Sequence, residues 1–217
     1  MRQSSAEYTI YDSVTPQTVT SSTDASPAVI TKNSHGLATG DRIVINGHAT
    51  NVTVNGIYDV VKLTANTFTL NDINTGAAIN GAGAGAGSGG IMCTAPKIAF
   101  AEEFRDAVIS VVTAGTATLT LKAAGSIGKV SADYQATKID TPNFGATQSD
   151  SNPYTFVEVV DLDTGTAIDG ATGIAAAGTD LNKIYEVNIN GLKYFTVIPT
   201  AWTQGAFTVK VKLFDNN

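Results

Sequence analysis

An all-β fold in two parts is predicted: a small barrel-like module, then a larger antiparallel β-sandwich or jelly roll. Three observations predict it. Period-two runs recur, and the last is the clearest, with Phe207, Val209, Val211 and Leu213 alternating with Thr208, Lys210 and Lys212. That is the pattern of a strand with one buried and one wet face. Tight-turn signals separate the runs, led by Asn190-Gly191 between Ile184–Ile189 and Leu192–Ile198. Asn-Gly at that place is the strongest short hairpin signal, because both turn positions take positive φ. One low-complexity stretch, Gly81-Ala-Gly-Ala-Gly-Ala-Gly-Ser-Gly-Gly90, then marks a boundary.

Taken in order, residues 1–27 read as an N-terminal arm. Apart from a β-prone cluster at Tyr8–Tyr11 they are polar, and the Thr/Ser-rich run from Thr15 ends at Pro27. Such an arm either crosses a neighbouring subunit or is a disordered terminus. Residues 28–80 form the small barrel-like module. Its strands are Ala28–Thr31, Arg42–Asn46, Val52–Val54, Ile57–Leu63 and Thr67–Leu70, with turns at His35–Asp41 and Asn55-Gly56. Strands this short, with turns this close, suit a barrel or rolled sheet. Residues 81–96 are a flexible Gly/Ala-rich linker. The run lacks the Gly-Lys-Ser/Thr ending and following helix of a phosphate-binding loop.

Residues 97–217 carry the larger domain, with seven or eight antiparallel strands. Phe104–Val112 and Thr116–Lys122 are two of them, and Tyr154–Val160 is another. The segment Ser126–Asn152 alternates poorly and reads as a long polar loop. A turn at Asp161–Gly165 and short strands at Thr166–Ile168 and Gly173–Ala177 follow. A meander closes the chain, with turns at Asn190-Gly191 and Thr203–Gly205.

Composition narrows the function classes. Charged residues make up 15% of the 217 residues, against roughly 25% in ordinary globular proteins. The net charge is −6 and no basic stripe is present, so nucleic acid is not an expected partner. No apolar run reaches the ~18 residues of a membrane span. Residues 1–7 lack the apolar core of a secretory signal. The chain is expected to stay in the cytoplasm where it is made, or to leave it within a larger particle. With one cysteine, Cys93, no intrachain disulfide forms, and a small buried residue is expected there.

No catalytic, cofactor or metal constellation is expected. His35 and His48 are the two histidines, read as a turn cap and an exposed residue, short of the ligands zinc needs. Serines are many, but no Gly-x-Ser-x-Gly elbow lifts a Ser/His/Asp triad above chance. Asp161, Asp163 and Asp169 resemble a calcium loop in their oxygen content, yet Asp-x-Asp-x-Gly is also turn chemistry. Tyr194, Phe195 and Trp202 form the candidate interface, an aromatic group suited to a core, a subunit contact or a sugar platform.

Two segments carry a resemblance. His35-Gly-Leu-Ala-Thr-Gly-Asp-Arg-Ile-Val-Ile45, Val54-Asn-Gly-Ile-Tyr-Asp-Val60 and Thr64-Ala-Asn-Thr-Phe-Thr-Leu70 resemble a small β module of tailed-bacteriophage virion proteins. Phe104–Val111, Tyr154–Gly170 and Tyr185–Tyr194 resemble a β-domain of phage structural proteins, including head decoration and peripheral capsid or tail components. The resemblance implies a non-enzymatic decoration or cement protein of the virion. Its implied partner is the major capsid protein, and its implied state is a homotrimer on local three-fold axes. A tail-fibre, baseplate or adhesin component touching a host glycan is the alternative.

Overall fold

The computed structural model describes residues 5–73, 75–127 and 154–215, which are all-β and form two antiparallel sheets. They divide into two units. One takes residues 5–15, 96–127 and 154–215, the other residues 16–95. The smaller unit is therefore an insertion in the chain of the larger one.

The chain opens with β1, Ser5–Val14, which pairs antiparallel with the last strand of the large unit, Ser5 opposite Phe214 and Val14 opposite Phe207. This corrects the expected arm over 1–27. The Tyr8–Tyr11 cluster belongs to a strand because Ile10 and Tyr11 are buried, Tyr11 set edge-on to Phe207 with ring centroids 5.1 Å apart.

The small unit begins at once with β2 (Gln17–Thr18) and β3 (Ser21–Ser22), followed by β4 (Val29–Thr31), β5 (Arg42–Asn46), β6 (Gly56–Lys62), β7 (Thr67–Asp72), β8 (Gly87–Ser88) and β9 (Ile91–Thr94). Val52–Val54, read as a strand, is a short 3-10 turn. The sheet order is β2-β9-β5-β6-β7-β4-β3-β8, an open path and not a closed barrel. Its near-ends β2 and β3 are nonetheless joined by two residues. Val19 N–H donates to Gly90 O and Thr20 N–H to Thr31 O, which rolls the sheet. Ile30, Ile43, Ile45, Tyr58, Val60, Phe68, Leu70 and Met92 fill the core. The module thus needs residues 17–22 and 87–94, outside the expected 28–80 bounds. The linker assigned to 81–96 is corrected too, since β9 pairs β5 in full register, Val44 opposite Cys93.

The large unit resumes with β10 (Ala99–Phe100) and β11 (Asp106–Ser126). Next come β12 (Thr155–Phe156), β13 (Val159–Asp161), β14 (Thr166–Ile168), β15 (Ile174–Thr179), β16 (Asn182–Asn188) and β17 (Tyr194–Phe214). The main path is β1-β17-β11-β16-β13-β14. The expected meander fails at one step, because β16 and β17 are not neighbours and β11 lies between them. The Asn190-Gly191 turn therefore joins separated strands. Leu192 N–H donates to Ile189 O at 2.9 Å, and only Gly191 of the central pair takes positive φ, +83°. That is type II geometry, not the primed hairpin type. The expected Ser126–Asn152 loop lies outside the described residues except for Ser126, which ends β11, and Ile127.

Two strands of 21 residues are unusual, since each would run straight for roughly 70 Å. Both are interrupted over one stretch, where their mutual register shifts three times. Between Ala114 and Thr118 the extra residues lie on β11, opposite Gly205 at φ +88°, and at the next two slips Thr203 and Thr200 are the extra residues on β17. The predicted turn at Thr203–Gly205 is thus a bulge inside β17. On the other side of β11, β15 and β16 follow one another with a break at Asp180 and Leu181. Asp180 Oδ1 accepts from Gly115 N–H at 2.7 Å, and Leu181 N–H donates to Thr113 Oγ1 at 2.9 Å. The period-two expectation for the last strand holds, with Phe207, Val209, Val211 and Leu213 all buried.

Candidate functional site

The strongest chemical arrangement among the described residues lies where the Gly-rich run crosses the small unit. β3 presents Ser22 and the loop after β5 presents His48. Ser22 Oγ is 2.8 Å from His48 Nε2, and His48 Nδ1 is 2.6 Å from Gly89 O. A carbonyl only accepts, so Nδ1 carries the proton. Nε2 is then free to accept from the serine hydroxyl. In outline this is a nucleophile, a base and a group that orients the base.

Access decides against catalysis. His48 and Ser22 are 2% and 3% exposed. A Cβ built on Gly87 would lie 2.5 Å from His48 Nε2, and one on Gly90 2.6 Å from His48 N. Backbone of the Gly-rich run occupies the place a substrate would need. His48, expected to be exposed, is instead buried. Asn55 locks it further by accepting from His48 N–H at 2.8 Å and donating to His48 O at 2.9 Å. The same run reaches the β3–β4 loop, where Gly83 N–H donates to Asp24 Oδ1 at 2.6 Å. The pair acts as a clasp for a packed strap.

The remaining polar candidates are engaged in the fold. His35 Nδ1 accepts from Leu37 N–H at 3.0 Å, the expected turn cap, while Nε2 donates to Thr64 O at 3.0 Å and the ring packs edge-on to Phe68. Asp161 Oδ1 accepts from Asp163 N–H at 2.8 Å, and Asp169 Oδ1 from Ala171 N–H at 2.7 Å. Asp163 pairs with Lys183, whose ammonium is held above its ordinary pKa by that hydrogen bond. The acidic loop is turn chemistry. Among the described residues no group of three or more His, Cys, Asp or Glu is placed to hold a metal ion. Cys93 is buried in β9.

Tyr194, Phe195 and Trp202 do not converge. All three lie on β17, and eight residues of extended strand from Tyr194 to Trp202 span roughly 26 Å. Phe195 is fully buried, and Tyr194 is buried with its ring edge-on to the exposed Phe100 at 5.5 Å. Trp202 is half-buried and donates Nε1–H to Gly205 O at 2.8 Å, bracing the bulge. Phe195→Ala is therefore expected to cost about 3–5 kcal/mol as a core truncation, and Trp202→Ala about 1–2 kcal/mol. Denaturant unfolding checks this. Equal small effects would return Phe195 to the surface.

A depression lined by Ser13, Val112–Ala114 and Ala206–Thr208 has a volume of about 60 Å³, against ~300–1,000 Å³ for a small-molecule site. What the large unit does offer is the outer face of its sheet. Val112, Ile184 and Leu162 are 40%, 41% and 47% exposed on or beside adjacent strands. The sequence hid this face, because Ile184 reads as core until its strand's phase is known. Comparison with protein-family models, curated proteins and solved structures finds no match for this chain.

Proposed function

We propose that this chain is a non-enzymatic structural protein of a tailed-phage virion, a decoration or cement protein that binds and stabilises the major capsid lattice. The observation that carries the reading is the use made of the polar groups. The Ser22–His48 pair is sealed under glycine backbone, and the aspartates cap their own turns. The polar groups fasten loops and turns within each unit, and exposed apolar strand surface is left over. The virion resemblance of residues 35–70 and 104–194 supplies the setting, and the weakly charged surface suits a long-lived particle.

Mixing purified protein with virion heads that lack it, then sedimenting the heads, tests the proposal. Saturable co-sedimentation at a fixed ratio to the major capsid protein, with added heat resistance, is the expected result. Binding to host cells or their glycans, with none to heads, would replace it with the adhesin reading.

A further inference from the structure

The outer face of the large sheet has a charge order that no ion pair among the described residues uses. On one rung, Glu186 of β16, Val108 of β11 and Lys212 of β17 are direct cross-strand neighbours. On the next, Ile184, Ser110 and Lys210 follow in the same order. Directly opposite residues point to the same side of a sheet. The face therefore reads acidic-apolar-basic about β11 on the first rung, with the exposed Val112 further along the same strand. Leu162 extends the apolar part, its N–H bonded to Ile184 O. Among the described residues, no ion pair involves Glu186, Lys210 or Lys212. Glu7 of β1 stands opposite Lys212 in register but forms no such pair with it.

We propose that two copies of this chain pair face to face through the β16–β11–β17 surface, about a two-fold axis parallel to β11. That axis keeps strand direction and exchanges left for right. The partner's β17 then lies over this copy's β16. Lys212 of each copy meets Glu186 of the other, so the pair occurs twice. Val108 and Val112 meet their own equivalents on the axis, and the aliphatic stem of Lys210 covers Ile184. Sheets pack about 10 Å apart with strands within ~30° of alignment, so the central three strands stay in register. The alternation of sign across β11 is what selects a second copy. A uniformly charged partner surface would meet like charge on one side.

The pairing does not rest on the capsid role, and it departs from the three-fold grouping that the resemblance implies. Sedimentation equilibrium of the full chain is expected to give twice the 22.4 kDa chain mass. K212E and E186K are each expected to weaken the dimer at least about tenfold, since like charges then face each other twice. The double reversal K212E/E186K is expected to recover the wild-type constant. Val112→Arg, with like charges on the axis, should also abolish pairing. A monomeric or trimeric wild type overturns the proposal, and so does a double reversal no better than the singles.

Discussion

Gly90→Ala is expected to destabilise the small unit by about 3 kcal/mol or more, whereas Gly89→Ala costs about 1 kcal/mol. The residues are adjacent and share a backbone region, with φ +77° and +73°. Both substitutions carry the strain of a side chain in the left-handed region. They differ in what the new methyl meets. At Gly89 nothing lies within 4 Å, while at Gly90 it would be 2.6 Å from His48 N, 2.7 Å from Asn46 O and 2.8 Å from His48 Cα. Those are backbone atoms of β5 and its following loop, and they cannot swing aside. Gly87→Ala isolates the steric part, because its methyl would strike Ala49 O and His48 Nε2 at 2.5 Å without the φ strain. Thermal or urea unfolding of the three variants checks the ranking. Three near-zero shifts would make the run the flexible linker that its composition suggests.

Deleting residues 1–14 is expected to abolish folding of the large unit or drive it to aggregate. β1 buries Ile10 and Tyr11 and covers the outer edge of β17 from Phe207 to Phe214. Burying a side chain of this kind contributes about 1.5–3 kcal/mol. With the ladder lost as well, the sum reaches about 5 kcal/mol, the scale of a whole domain's stability. An uncovered β17 edge is also a template for pairing with other chains. Soluble yield and far-UV circular dichroism of the truncated chain test this. A synthetic peptide of residues 5–14 added in trans should restore solubility. Ile10→Ala, expected to cost about 2–5 kcal/mol, gives a folded variant for the same question. A truncated chain that unfolds at the wild-type midpoint would show the segment to be an arm after all.

The misreadings of the sequence share a cause. Residues 8–11 have strand character but no partner nearby in sequence, because β17 lies some 200 positions away. The glycines of 81–90 lack side chains, so neither pattern nor propensity records that Gly87 and Gly90 pack on His48. His48 has one tautomer-specific partner in β3 and another in the strap, and neither is within reach of a local window. The aromatic candidates fail for a related reason. The alternation that places Val209 and Val211 inward breaks down at 194–199, where consecutive residues are buried on both faces.

What the sequence determined by itself is what one strand and its own turns decide. That covers the all-β class, the inward set Phe207–Leu213, the His35 cap and the Asp161 turn. These depend on period-two geometry and on bonds spanning a few residues. The tertiary structure alone decided which strands pair. Backbone N–H and C=O groups are alike on every strand, so the insertion of β11 between β16 and β17 is written in no local signal. Selection among partners comes from long-range burial. The same burial seals Ser22 and His48 and leaves Ile184 facing outward.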